Sequence, residues 1–162
     1  MLSITMLEKT TKFTVKTGKA TSSLSVLNAI DRAMLDAEIG DLNIIEVSSV
    51  LPKDIEKVEK ISGKTGDFRH AVLSKATGSD KRLIAGLAWG FREDDQGGYV
   101  IEHFAEEEKF DMDDFKEELR GKLKEMGEAR GVTLKDVNMV YDNLDVREEE
   151  FGCVIAGLVY LP

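Results

Sequence analysis

Seven strand-like segments and two helical ones share this chain, and two helices cannot cover both faces of a seven-stranded sheet. Two stacked sheets, each with one helix outside, are the economical way to hide the apolar faces. Hydrophobic periodicity places the segments. Lys12 to Val15 reads as the first strand. Ser23 to Ile39 reads as a helix, with Leu27, Ile30, Met34 and Ala37 at spacings of three and four. Gly40 stands where a helix end favours positive φ, and a strand from Leu42 to Val47 follows. Residues 53–67 are polar and irregular, suited to covering an edge of the fold. Strands are expected over Phe68–Ala76, Leu83–Phe91 and Tyr99–Phe104, with "TGSDKR" as a turn and "EDDQGG" as a hairpin loop. The second helix starts at a capping Asp111, lines up Phe115, Leu119, Leu123 and Met126, and ends at Gly131. Strands over Val137–Tyr141 and Gly152–Tyr160 complete the order, with Asn143 and Asp145 in the turn between them. Strand-helix-strand-strand occurs in residues 12–76 and again in 99–160, a pattern compatible with internal duplication.

A length of 162 residues, with 42% hydrophobic and 33% charged, suits one globular domain with a real core. The apolar runs are too short to cross a bilayer, and Met1 to Met6 lacks the basic start and long apolar stretch of a signal peptide. The single Cys153 allows no intramolecular disulfide and no cysteine metal cluster, so a cytoplasmic protein without a membrane partner or metal is expected. A net charge of −9 argues against nucleic-acid binding. It is compatible with a cationic small substrate, and equally with solubility alone.

Phosphate-binding, dinucleotide-binding, nucleophile-elbow and zinc-protease motifs are all missing. His70 and His103 are single histidines in expected strands, better read as ordinary sheet residues than as bases. Cys153 in "FGCVIAGLVY" reads as a buried structural thiol, and "AEEEKFDMDD" as a solvated helix entrance. Glu102 in "GGYVIEHFAEE" either faces water or is a carboxyl of raised pKa able to hold a proton. Asp31 shares a helical face with Leu27 and Met34, which puts it at the rim of the core or in a pocket for a cation.

One stretch resists a purely structural explanation. In "GDLNIIEVSSVLPKD" a buried strand runs from Asn43 to Val47, where a tight polar turn should follow. Instead, Ser48 and Ser49 sit between Val47 and the apolar pair Val50-Leu51, and Pro52 closes the segment.

These positions resemble the pyruvoyl-dependent arginine decarboxylases over most of the chain. "LNAIDRAMLDAEIGDLNIIEVSSVLP" is similar to the family's block of helix, glycine turn, strand and processing site. "YVIEHF" resembles the segment with its catalytic glutamate, and "EEFGCVIAGLVYLP" its C-terminal strand. The resemblance implies a four-layer αββα sandwich of two mainly antiparallel sheets. It implies trimers or dimers of trimers with active sites between subunits. It also implies self-cleavage between Ser48 and Ser49, giving chains 1–48 and 49–162 and converting Ser49 into a pyruvoyl group. Asn43 matches the family's processing asparagine, and Glu102 its proton donor. Asp31 matches the carboxylate that binds the guanidinium of L-arginine. Leu27 and Met34 would flank the substrate's aliphatic part, with backbone contacts from Gly40, Leu42 and Ser48. The stretch "VLPKDIEKVEKISGKTGD" after Ser49 has one proline where the family often has a pair, and Met34 replaces a more usual leucine. Two alternatives stand beside an arginine decarboxylase feeding polyamine synthesis. One is the same chemistry on another basic amino acid; the other is an uncleaved homologue acting as a structural or regulatory subunit.

Overall fold

The computed structural model describes residues 9–162, so the apolar stretch Met1–Met6 lies outside the described residues. In chain order the elements are β1 (Lys12–Ser22), α1 (Val26–Asp36), β2 (Asn43–Glu46), β3 (Val50–Leu51), β4 (Glu56–Lys57), β5 (Phe68–Gly78), β6 (Lys81–Arg92), β7 (Gly98–Glu107), α2 (Met112–Glu128), β8 (Leu134–Val146) and β9 (Phe151–Leu161). A first sheet has the order β2-β5-β9-β1-β4, and a second has β3-β7-β6-β8. Among the described residues, only the β1–β4 and β2–β5 pairs are parallel. The rest are antiparallel, as expected of the sandwich.

The strand β9 shows why the layers stack as they do. Its side chains alternate between two buried environments. Cys153 and Ile155 meet Ala29 and Ala33 of α1, whereas Ala156, Leu158 and Tyr160 face Leu87, Trp89 and Val100 of the second sheet. A strand covered on both sides reads as a continuous apolar run, which "FGCVIAGLVY" is. The second helix closes the opposite side, placing Phe115, Leu119 and Leu123 on Ile84, Ala88 and Tyr99. The four layers are therefore α1, first sheet, second sheet and α2.

Small residues let α1 lie close to its sheet. A Cβ on Gly18 of β1 would fall 2.2 Å from the Ala33 carbonyl oxygen, so only glycine fits there. The buried stripe of α1 is Ala29, Ala33 and Ala37, with Ile30 and Met34 at its border. Leu27, expected to point inward, is instead 74% exposed.

Both ends of α1 also differ from expectation. Ser25 caps its start by accepting from the Asn28 N–H at 3.1 Å. At its other end the positive φ falls on Glu38, at 62°, rather than on Gly40. Ile39 N–H donates to the Met34 carbonyl and Glu38 N–H to that of Leu35, a Schellman closure. Gly40 is needed for space, since its Cβ would lie 2.6 Å from Leu35 Cδ2. The second helix follows the pattern, with Asp111 accepting from Asp113 and Asp114 and Gly131 at φ 65°.

The segment after Pro52 does cover an edge, through β4 pairing with β1. Asn143 and Asp145, expected in a turn, lie within β8, which is an edge strand and so tolerates polar residues. The sheets do not divide along the two similar halves, because β9 runs between β5 and β1.

Candidate active site

The paired serines occupy the place where the chain crosses from one sheet to the other. On the upstream side, Val47 N–H donates to the Ala71 carbonyl at 2.9 Å, continuing the pairing of β2 with β5. On the downstream side, the Ser49 carbonyl accepts from Val100 N–H at 3.0 Å, and β3 pairs Val50 with Tyr99 and Leu51 with Gly98. Leu51 is 1% exposed and anchors β3 in the core between the sheets. Two peptide units, Val47–Ser48 and Ser48–Ser49, lie between the two anchors. Ser48 is exposed and Ser49 half-buried.

Glu102 lies on β7, two residues beyond the Val100 whose N–H holds the Ser49 carbonyl. Tyr99 and Ile101 pack toward α2, whereas Val100 belongs to the core between the sheets. Strand alternation therefore puts Glu102 on the same face as Val100, roughly 7 Å further along β7. It is exposed, past the end of the short β3.

Asn43 opens β2, five residues before Ser48. Its Nδ2 donates to the Gly66 carbonyl at 2.8 Å, and its N–H donates to that of Asp67 at 2.9 Å. Arg69 fastens the same loop by donating twice to the Ser62 carbonyl, at 2.8 and 3.2 Å. Five residues of extended chain, about 16 Å, separate Asn43 from Ser48. Its amide cannot touch the serine pair of its own chain.

Asp31 and Leu27 are exposed on the flank of α1, while Met34 is half-buried against the first sheet. Asp31 lies on α1, outside the first sheet, and Glu102 on β7 of the second sheet. Gly40 and Leu42 line a cavity of about 510 Å³ with Leu35 and Ile61, and the two serines are not part of its wall.

His103 and Cys153 are packed into the fold. His103 stacks on Phe115 at 4.9 Å, with Nε2 2.7 Å from Glu118 and Nδ1 2.8 Å from Lys122 Nζ. Burial, and then Lys122, lower its pKa. His70 is exposed on β5 opposite Ile45. Cys153 is fully buried, and burial pushes its thiol up to about 11. A thiol reagent such as Ellman's should leave Cys153 unlabelled in the native protein and label it fully in denaturant. Rapid native labelling would refute its burial.

Two contributors carried little or no signal in the sequence. The Val100 donor is backbone and leaves no mark on residue type. The Tyr160 hydroxyl donates to the Val50 carbonyl at 2.8 Å. A tyrosine ending an apolar strand does hint at a buried partner. Among the described residues no cluster of three or more His, Cys, Asp or Glu side chains could hold a metal. No helix among them is long and apolar enough to cross a membrane.

The fold is shared with a solved protein of pyruvoyl chemistry. A solved pyruvoyl-dependent histidine decarboxylase matches with a TM-score of 0.50 over 62% of this chain and 53% of its own, at 15% identity. The family follows from sequence. The chain belongs to the pyruvoyl-dependent arginine decarboxylase family, whose model matches residues 12–162. A pyruvoyl-dependent arginine decarboxylase of Methanothermobacter thermautotrophicus is 30% identical over 90% of this chain and 93% of its own. That of Methanopyrus kandleri is 29% identical over 89% and 91%, and that of Pyrococcus horikoshii 26% over 83% and 85%. The chain is thus an enzyme of a family that depends on a covalent pyruvoyl group. At the sheet crossing stands Ser49, a residue whose side chain and backbone have the carbon skeleton such a group needs, with its carbonyl held by the Val100 N–H.

Proposed function

We propose that the protein cleaves itself between Ser48 and Ser49 and then converts L-arginine to agmatine and carbon dioxide. The observation that carries this reading is the sheet-crossing peptide, anchored by Val47 on one side and Ser49 on the other. Ser49 Oγ attacks the Ser48 carbonyl, forming an ester as the peptide C–N bond breaks and the nitrogen takes the proton. Loss of the Ser49 Hα and of the ester oxygen leaves a carboxylate on Ser48 and a dehydroalanine at 49. Water then releases ammonia, leaving residue 49 as a pyruvoyl group. Anchors on both sides keep nucleophile and carbonyl close, which is the main contribution a protein makes to such a step. No metal is required.

A pyruvoyl group at residue 49 would supply a ketone able to condense with the substrate amine, releasing water, and to take up the electron pair left by carbon dioxide. Glu102, on the face of β7 that carries Val100, donates a proton to the carbon that lost its carboxylate. Asp31 accepts two parallel hydrogen bonds from the substrate guanidinium. Leu27 and Met34 flank its methylenes, with Gly40, Leu42 and Ser48 supplying backbone contacts. Because Asp31 and Glu102 occupy different layers of one chain, the complete site forms between subunits. The assembly is a trimer or a pair of trimers. Ile45, Val47 and Val50 are exposed large apolar residues along the approach to the serine crossing and beyond it, which supports burial there against another copy. In such an assembly Asn43 reaches a partner's serine pair, or acts through the 62–67 loop. The product places the enzyme at the entry to polyamine synthesis, in the cytoplasm.

Carbon dioxide release should be rapid with arginine and at least tenfold slower with lysine, ornithine or histidine, because only a planar guanidinium matches a carboxylate bidentately. Turnover of another basic amino acid in preference to arginine would sink the substrate assignment while leaving the chemistry.

A further inference from the structure

The strand that carries Ser49 into the second sheet is only two residues long and lies at that sheet's edge. Its pairing with β7 holds one side. The Ser49 carbonyl points at β7, so by strand alternation the Val50 carbonyl points away from the sheet. Such a group needs another partner once water is excluded. The partner comes from the opposite sheet. Tyr160 of β9 packs its ring beside its register neighbour Phe13 and Leu51, is 7% exposed, and donates its hydroxyl to the Val50 carbonyl at 2.8 Å. Burial pushes this phenol up to about 12, so it remains a donor through the neutral range.

We propose that Tyr160 is a positioning residue for self-cleavage, whose hydroxyl fixes the segment bearing Ser49 for attack on the Ser48 carbonyl. The proposal rests on the self-cleavage reading above. Consecutive carbonyls, Ser49 and Val50, are held from opposite directions by Val100 and Tyr160. Together they restrict the backbone that aims Ser49 Oγ. Tyr160 exchanges no proton with the reacting atoms. After cleavage the same bond ties down what has become a chain end, where a two-residue strand would otherwise fray.

Self-cleavage of freshly prepared full-length protein, followed by intact mass, tests this. Tyr160→Phe keeps the ring and removes the hydroxyl, and its cleavage should slow about three- to tenfold, the worth of one hydrogen bond. Ile84→Val is the control for stability, because it lies in the core under α2 and costs a similar amount. It should lower the thermal midpoint comparably and cleave at the unaltered rate. A Tyr160→Phe chain that cleaves at the unaltered rate overturns the proposal, as does equal slowing of both variants. If the unaltered chain stays whole, self-cleavage itself fails, a result distinct from either.

Discussion

Ser49→Ala should leave the chain whole. Where the unaltered protein resolves into residues 1–48 and 49–162 under denaturing conditions, the variant should show one full-length species after prolonged incubation. The expectation follows from what the substitution keeps. Alanine retains the Cβ and the backbone, so Val47 still bonds Ala71 and the residue-49 carbonyl still meets Val100 N–H. A half-buried serine whose hydroxyl bonds no group among the described residues can be replaced at little cost, within roughly 0.5 kcal/mol. The variant therefore folds as before and presents the same Ser48 carbonyl, with no oxygen to attack it. A peptide bond without a nucleophile is stable over any laboratory time, so the loss is complete rather than partial. Carbon dioxide release should vanish with it. Two fragments from Ser49→Ala would remove Ser49 from the nucleophile's role, and cleavage at a different bond would move the site.

The layers of the fold were legible because they follow from periodicity and counting. The apolar face of α2 and its Asp111 cap hold as read, and so does the buried Cys153. The errors fall where local pattern competes with tertiary context. Leu27 shares the spacing of a core residue, but the first sheet selected the adjacent alanine stripe because Gly18 lets small residues approach closely. Gly40 looked like a helix terminator, yet Glu38 took the left-handed position and Gly40 served packing instead. Polar residues ended the expected last-but-one strand too early, since an edge strand need not alternate cleanly. The serine pair was visible as an oddity from residue type alone. That it bridges two sheets was not visible, because β3 is two residues long and its anchors are backbone groups. Asn43 shows the same limit. Residue type marks Asn43 only through the resemblance, and the roughly 16 Å of extended chain between it and Ser48 became visible with the course of β2.

Glu102→Gln should cleave itself at the unaltered rate and decarboxylate arginine about 10²- to 10⁴-fold more slowly, the usual worth of a positioned proton donor. Glutamine matches glutamate in size and keeps a hydrogen-bonding end, but it has no acidic proton to give. The two readouts separate because the residue stands apart from the scissile bond. Val100 holds the Ser49 carbonyl, whereas Glu102 lies two residues further along β7 and is exposed beyond the last pair of β3. Its removal leaves every anchor of the Ser48–Ser49 crossing in place. If Glu102 acts only at proton donation, the loss should appear in kcat, with KM nearly unchanged, since an interaction used only in the transition state does not weaken substrate binding. A rise in KM at constant kcat would instead assign Glu102 to binding, beside Asp31. Full activity in the variant would take the proton donor away from β7 altogether. Because one chain holds Asp31 and Glu102 in different layers, mixing Glu102→Gln with Asp31→Asn protein supplies a last discriminating result. Mixed assemblies should recover part of the activity, since some inter-subunit sites then receive both native carboxylates, and no recovery would place both on the same chain's site.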